Sequence, residues 1–134
     1  MTQLETTLFD VLIIGAGISG IGCACHLTRE LPKKSFAILE ARDHLGGTWD
    51  LFKYPGIRSD SDLHTFSYDF KPWTSPNSIA SANEIMAYLR ETSVEYGIAE
   101  KIHYRHRVVA ANWDSEASLW TLGIQGPSAL IRAQ

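Results

Sequence analysis

The stretch Gly15-Ala16-Gly17-Ile18-Ser19-Gly20 has the spacing G-x-G-x-x-G and decides the fold. Before it, Phe9 to Ile14 is a short apolar run rich in β-branched residues, which is typical of a strand buried on both faces in a parallel sheet. After it, apolar residues recur among small ones from Ile18 to Glu30, which predicts a helix. Ser35 to Glu40 is a second apolar run, so residues 9–40 have the β-α-β order of a right-handed parallel crossover.

Each glycine of this motif has a physical role in binding a dinucleotide. Gly15 permits the tight turn, Gly17 lets a pyrophosphate approach the backbone, and Gly20 lets the helix pack close to the strand. The unpaired N–H groups at the start of the helix then face the phosphates. The alternative is a glycine-rich turn between core elements that binds no ligand.

An acidic residue, Glu40, ends the second predicted strand, 20 positions after Gly20. There its carboxylate can accept hydrogen bonds from a ribose, whereas it would repel a 2′-phosphate. This pattern favours FAD or NAD over NADP at this site. In the alternative without a ligand, Glu40 would be solvated.

The segment His44 to Trp49, HLGGTW, bears on which dinucleotide is bound. Its two glycines follow shortly after Glu40, and backbone amides in such a turn can reach a second part of a long cofactor. A flavin laid across the domain needs this contact, whereas a nicotinamide dehydrogenase does not. The segment therefore favours FAD, and the alternative is that Gly46-Gly47 is a plain turn.

Residues 41–79 have no sustained helical or strand period and are punctuated by glycine and proline. A loop-rich stretch of that length inside a compact domain is usually either functional or misread, and its aromatic and acidic composition favours a functional one. Order returns at Ser81, which forms a predicted capping box with Glu84. The helix that follows is expected to stop at Gly97.

The last third of the chain is predicted to contain an antiparallel hairpin. Its strands are Ile102 to Trp113 and Leu119 to Ile124, joined by the polar or small residues 114–118. The tail from Gly126 to Gln134 has no stop signal, and no partner element is expected for it.

The composition is that of an ordinary globular chain. Of the 134 residues, 45% are hydrophobic and 20% are charged, with a formal net charge of -3. The apolar fraction is too high for disorder, and no basic stripe is available to bind nucleic acid. The start lacks the basic segment of a secretory signal. The uncharged run Val11 to Leu27 contains four glycines and is interpreted as buried strand, turn and helix, with a membrane span as the alternative. A cytoplasmic location is expected.

No metal site and no disulfide are predicted. The five histidines lack a ligand spacing such as H-E-x-x-H. Cys23 and Cys25 are two apart in the predicted helix, where they point to different faces and cannot bridge each other.

Four features together resemble the N-terminal part of class B flavoprotein monooxygenases. They are GAGISG, the strand-terminal Glu40, the segment GGTWDLFKYPGIRSDSD from Gly46 to Asp62, and FKPW from Phe70 to Trp73. Within that class the chain is similar to the Baeyer–Villiger type, especially the subgroup of the ethionamide-activating monooxygenase. The resemblance extends from about Phe9 to Trp120.

The resemblance implies residues that hold FAD. Gly15, Gly17, Ile18, Ser19 and Gly20 would hold the pyrophosphate region. Glu40 would bind the adenosine ribose, with Ala41 beside it, Arg42 near the adenine side, and Val108 bonded to the adenine through its backbone. Gly47, Thr48 and Trp49 would line the flavin and its ribityl chain.

The segment from Tyr54 to Asp60 resembles the Y-P-G-x-R-x-D segment of that class, whose acid lies beside the isoalloxazine. The resemblance implies that Arg58 and Asp60 belong to the cofactor site and that Asp60 is the catalytic residue of this chain. Asp60 would orient an arginine from a later domain, and a flavin peroxide needs such cationic help and exclusion of water. Without the resemblance, Asp60 could be an N-cap or a surface turn residue.

The resemblance implies an α/β fold: a Rossmann-like FAD-binding βαβ layer of the three-layer type, incomplete, with a loop-rich insertion, one further helix and a β-hairpin. Residues 1–134 are expected to be the N-terminal part of an FAD-binding domain in a longer polypeptide, with the NADPH-binding domain absent. The expected partners are a small-molecule substrate, O2 and the remainder of the polypeptide, without nucleic acid or an obligate membrane span.

The implied activity is that of an NADPH- and O2-dependent flavin monooxygenase that inserts oxygen into ketones through a peroxyflavin. The alternatives are an enzyme that oxygenates nitrogen or sulfur centres, and a truncated FAD-binding fragment without catalysis. A NAD-dependent dehydrogenase is a further rival, since it would bind nicotinamide in place of flavin.

Overall fold

The computed structural model describes residues 3–125 and 129–134 of the chain. Its helices are α1 (Gln3–Thr6), α2 (Ile18–Glu30), α3 (Thr48–Leu51), α4 (Leu63–Phe66) and α5 (Ala82–Glu95), with a 3-10 turn at Ala99–Lys101. Its strands are β1 (Leu8–Phe9), β2 (Val11–Ile14), β3 (Phe36–Leu39), β4 (Ile102–His103), β5 (Val108–Asp114), β6 (Leu119–Ile124) and β7 (Ala129–Ala133). The predicted mixed α/β fold is confirmed.

The predicted βαβ unit forms most of the first sheet. β2 pairs with β3 in parallel, from Val11 opposite Phe36 to Ile14 opposite Leu39. β4 pairs in parallel with the other side of β3, so the strand order is β2-β3-β4. All four side chains of β3 are buried, as expected for a parallel strand covered on both faces.

The first predicted strand, residues 9–14, is divided at Asp10. The Asp10 carboxylate accepts hydrogen bonds from the backbone N–H of Ser35 at 2.7 Å and from its hydroxyl at 2.8 Å. It also forms an ion pair with Lys34 at 2.9 Å. These contacts of Asp10 interrupt the apolar run. The preceding strand, β1, belongs to the second sheet rather than the first.

The second sheet has the strand order β1-β7-β6-β5. β5 and β6 form the predicted antiparallel hairpin, with Trp113 opposite Trp120 and their ring centroids 5.5 Å apart. The prediction that the hairpin begins at Ile102 is wrong, because β4 belongs to the first sheet. The chain bends between β4 and β5, where Arg105 has a left-handed backbone with a φ of 59°.

The tail has a partner, contrary to the sequence-based expectation. β7 pairs antiparallel with β6 and parallel with β1. Ile131 of β7 is fully buried, so packing between the sheets orders this strand. The start of the tail, residues 126–128, lies outside the described residues.

The capping box of α5 is confirmed. The Ser81 hydroxyl accepts from the N–H of Glu84, and the Glu84 carboxylate accepts from the N–H of Ser81 at 2.8 Å. Gly97 follows the helix with a φ of 65°. The preceding loop-rich stretch contains two short helices that periodicity did not predict, α3 and α4, because one turn is too short to show a period.

The core lies on both faces of the first sheet. On one face, Ile21 and Cys25 of α2 pack with Ile85 and Leu89 of α5. On the other face, side chains of β3 pack with residues of the second sheet; this cluster includes Ala37, Leu39, Leu122, Ile124 and Ile131. Across residues 3–125 and 129–134, the helices are too short or too polar to span a membrane.

Candidate dinucleotide-binding site

The glycine-rich turn lies at the carboxyl end of β2 and leads into α2. Gly15 is tied to the neighbouring strand, because its N–H donates to the Leu39 carbonyl at 2.8 Å. α2 begins directly after Gly17, and no side chain of the described residues caps it. Since the first N–H groups of a helix have no intrahelical partner, this helix start can bind an anion.

Two glycines bring the walls of the site together. A Cβ at Gly20 would lie 2.0 Å from the Gly15 carbonyl oxygen, so only glycine lets α2 approach the turn. Gly47 has a φ of 54°, and a Cβ there would lie 3.1 Å from the Cα of Gly17. The two glycine-rich turns, residues 15–20 and 46–47, are therefore in direct contact.

These turns enclose a cleft of about 310 Å³, here called the glycine cleft. Eight of the predicted cofactor residues line it: Gly15, Gly17, Ile18, Ser19, Gly20, Gly47, Thr48 and Trp49. Ile14 and Gly46 complete the lining. The two motifs that are separated in sequence thus share one cleft.

Glu40 is buried at the end of β3, with 7% of its surface exposed. Its Oε2 accepts from the Ala16 N–H at 2.8 Å, and its Oε1 accepts from the Arg42 N–H at 2.9 Å. The alternative of a solvated Glu40 is therefore wrong. Because a carboxylate oxygen has two lone-pair sites, each oxygen can still accept a further bond, as a ribose would require.

The side chain of Arg42 lies against Asp50, a residue that sequence reasoning missed. Arg42 Nη2 is 2.9 Å from Asp50 Oδ2, and Lys53 Nζ is 3.2 Å from Asp50 Oδ1. Asp50 is buried, and it is the one charged residue in the segment Thr48-Trp49-Asp50-Leu51-Phe52. A charged residue in such a stretch was the available signal, since buried acids are usually paired.

One guanidinium nitrogen of Arg42 has no hydrogen-bond partner among the described residues. This nitrogen, Nη1, is buried. A buried donor without a partner is costly, and Nη1 is the one such side-chain atom among the described residues. Ala41, between Glu40 and Arg42, is half-buried.

Asp60 and Arg58 line a different cleft, of about 460 Å³, together with Tyr54, Gly56, Ser59 and Ile79. A cleft of about 370 Å³, here called the intermediate cleft, lies between the glycine cleft and the Asp60 cleft. It shares Trp49 with the glycine cleft and shares Tyr54 and Gly56 with the Asp60 cleft. The three clefts therefore adjoin in series. Asp60 is exposed and is not an N-cap, since Asp62 caps α4.

Ser59, next to Asp60, is a second residue that sequence reasoning missed. It is buried, its N–H donates to the Ala80 carbonyl at 2.8 Å, and its hydroxyl accepts from the Ala80 N–H at 3.1 Å. This pair of bonds joins the Asp60 segment to the residue just before the cap of α5.

Val108 does not line the glycine cleft, but the chain before it is joined to the Glu40 end of the site. The N–H of His106 donates to the Glu40 carbonyl at 2.9 Å, and the N–H of Arg105 donates to the Arg42 carbonyl at 3.1 Å. Val108 follows as the first residue of β5, opposite Ile124.

The histidines form no metal site in the described ranges. No group of three or more His, Cys, Asp or Glu residues there could hold a metal ion. His103 and His106 are neighbours, with ring centroids 5.9 Å apart. Burial, and then the charge of His106, lowers the pKa of His103, which favours its neutral form.

Together these features define a dinucleotide-binding domain of the Rossmann type. They are a buried strand, a glycine turn, a helix start without a cap, and a buried carboxylate at the end of the next strand. The orphaned Arg42 nitrogen and the contact between the two glycine turns also fit a long cofactor. The chain belongs to the NAD(P)-binding Rossmann-like domain family, whose family model matches residues 13–90.

Known relatives narrow the class. The chain is 55% identical over 116 residues to the probable FAD-binding monooxygenase AlmA of Acinetobacter baylyi, covering 87% of this chain and 23% of the relative. It is 48% identical over 125 residues to the FAD-containing monooxygenase EthA of Mycobacterium tuberculosis, covering 93% of this chain and 26% of the relative. The chain thus spans about a quarter of the length of these relatives.

Solved structures agree with the relatives. An oxidized steroid monooxygenase bound to NADP is 32% identical, with a TM-score of 0.83, covering 95% of this chain and 25% of that structure. The closed crystal structure of cyclohexanone monooxygenase is 26% identical, with a TM-score of 0.86, covering 96% of this chain and 25% of that structure. The predicted resemblance to flavin-dependent monooxygenases of the Baeyer–Villiger type is confirmed, and FAD and NADP are cofactors that these proteins' names specify.

Proposed function

We propose that this chain is the FAD-binding part of an NADPH- and O2-dependent flavin monooxygenase. The observation that carries the proposal is the glycine cleft, in which eight predicted cofactor residues from two separate motifs meet. The names of the relatives support FAD as the dinucleotide. In this proposal residues 1–134 are the N-terminal part of the FAD-binding domain in a longer cytoplasmic protein, and NADPH binds mostly outside it.

The proposal gives each group of site residues a role that its position supports. The start of α2 would hold the pyrophosphate, because its free N–H groups and the helix dipole favour an anion. Glu40 would accept hydrogen bonds from the adenosine ribose, with Ala41, Arg42 and the Val108 backbone on the adenosine side. Gly47, Thr48 and Trp49 would line the flavin side. When bound, the flavin would supply the activation of O2.

We propose Asp60 as the acid that acts beside the flavin, with Arg58 in the same cleft. Its cleft adjoins the flavin side through the intermediate cleft, which contains Trp49, Tyr54 and Gly56. Asp60 would orient a cation supplied by the rest of the protein. The expected chemistry is oxygen insertion into a ketone by the peroxyflavin route that the family resemblance implies. The likeness to cyclohexanone monooxygenase favours a ketone substrate.

The test uses the full-length protein that carries this sequence. NADPH oxidation would be followed with cyclohexanone and with an alkyl aryl sulfide, and products would be identified by mass spectrometry. We expect a lactone from the ketone; sulfoxide formation without ketone turnover would contradict the Baeyer–Villiger assignment. Asp60→Asn should abolish lactone formation, whereas Asp69→Asn, a change at an exposed site outside the clefts, should not.

A further inference from the structure

The ion pair between Arg42 and Asp50 joins the two ends of the candidate cofactor site. Arg42 follows Glu40 at the end of β3, which is the adenosine side. Asp50 lies in α3, directly after Trp49, which is on the flavin side. We infer that this ion pair fixes the spacing between the two sides, and that Asp50 is a positioning residue for FAD rather than a ligand. The inference rests on the proposed binding of FAD.

Neither residue is placed to contact the cofactor through its paired atoms. Arg42 and Asp50 are absent from the linings of the glycine cleft, the intermediate cleft and the Asp60 cleft. The Asp50 side chain is only 8% exposed. A Cβ at Gly46 would lie 3.1 Å from the Asp50 Cβ, so Asp50 packs against the turn that lines the glycine cleft.

The other end of the pair is equally restrained. The N–H of Arg42 donates to Glu40 Oε1, and its carbonyl accepts from the N–H of Arg105. The Arg42 backbone is therefore held at the Glu40 end of the site, and the ion pair with Asp50 starts from a fixed position. Lys53 also contacts Asp50, but its side chain is 70% exposed, so Arg42 is the main partner.

The ion pair should matter most for a ligand that reaches both sides. ADP would occupy the adenosine side and the start of α2, whereas FAD must in addition reach Gly47, Thr48 and Trp49. Preorganised spacing reduces the cost of binding the second part of a long ligand. Loss of the pair should therefore weaken the binding of FAD more than the binding of ADP.

The experiment measures dissociation constants for FAD and for ADP on the flavin-free full-length protein by calorimetry. Asp50→Asn should raise the FAD constant about tenfold and the ADP constant by less than about twofold. Arg42→Gln should raise the FAD constant by at least as much. The double variant should bind FAD no more weakly than the weaker single variant, because both changes remove the same interaction. If Asp50→Asn does not fold, the double variant replaces it in the FAD titration, because the double variant leaves no Arg42 charge unpaired.

Asp43→Asn is the matched control. It breaks the ion pair between Asp43 and Arg105, whose side chains are 55% and 81% exposed, close to the same end of β3. This control should leave both constants unchanged.

Three results would overturn the inference: an equal weakening of FAD and ADP binding in Asp50→Asn, no weakening of FAD binding in that variant, or single-variant effects on FAD binding that multiply in the double variant. Wild-type protein that binds ADP but no FAD would instead refute the proposed function itself.

Discussion

The carboxylate of Glu40 accepts a hydrogen bond from the backbone N–H of Ala16, with 2.8 Å between Oε2 and N. Ala16 lies inside the glycine turn, and its own carbonyl accepts from the N–H of Gly46 at 2.8 Å. The end of β3, the glycine turn and the second glycine pair are therefore held together by one residue. Glu40 has a structural role in addition to the proposed ribose contact.

Glu40→Gln should reduce both stability and FAD affinity. The amide group would place a donor against one of two backbone N–H groups, leaving a buried donor unsatisfied at a cost of about 1–3 kcal/mol. Urea denaturation of the full-length protein would measure the loss. Glu30→Gln, at the exposed end of α2, is the control, and equal stability of the two variants would contradict the role given to Glu40.

Alanine substitutions at Gly20 and at Gly17 should affect different properties: the first should lower stability, and the second should lower FAD affinity. At Gly20 the new methyl group would overlap the Gly15 carbonyl oxygen, so the turn must shift, and we expect a loss of about 1–3 kcal/mol in the free energy of unfolding. At Gly17 the φ is -80°, and the nearest atom would be 3.7 Å away. Gly17→Ala should therefore keep its stability but weaken FAD binding.

Denaturation and FAD titration of the two variants separate these effects. If Gly17→Ala bound FAD as tightly as the wild type, the pyrophosphate would not approach the backbone where we propose.

Ser59→Ala should loosen the segment that carries Asp60. The variant loses the acceptor for the buried Ala80 N–H, which costs about 1–3 kcal/mol. We expect a lower melting temperature and slower ketone turnover, measured in the full-length protein. Ser61→Ala changes an exposed serine on the other side of Asp60 and should alter neither; a similar effect of both variants would contradict the role of the Ser59–Ala80 bonds.

Asp10 should contribute to stability in a pH-dependent way. Hydrogen bonds, first from Lys34 and then from Ser35, lower the pKa of Asp10 from 3.8 to about 2. Because the folded-state pKa lies below the unfolded value, this contribution is present above pH 3.8 and is lost as the pH falls to about 2. Thermal unfolding should show Asp10→Asn less stable than wild type at neutral pH, with the difference shrinking below pH 4. A constant difference would contradict the assignment.

The local parts of the fold and site could be predicted from the sequence. The glycine turn, Glu40 and the capping box at Ser81 depend on neighbours within a short βαβ unit or a single turn, where spacing and residue type suffice. The sequence indicated that the Gly46–Gly47 turn could reach a second part of a long cofactor, and the structure adds that this turn contacts Gly17 and shares a cleft with the first glycine motif.

The parts that depend on distant partners could not be predicted. Ser59 is buried because Ala80 supplies its bonds, and β7 is ordered because β6 and β1 flank it. Ile102 and His103 resemble the start of the hairpin in sequence, yet they pair with β3. The charge of Asp50 in a mostly apolar segment suggests a paired acid, but the sequence does not show that its partner is Arg42.

The cofactor of the purified full-length protein can be released by denaturation and identified by chromatography and absorbance. We expect FAD, bound at one molecule per chain and lost or weakened in Gly17→Ala. Release of NAD, or the absence of any flavin even after incubation with FAD, would contradict this expectation.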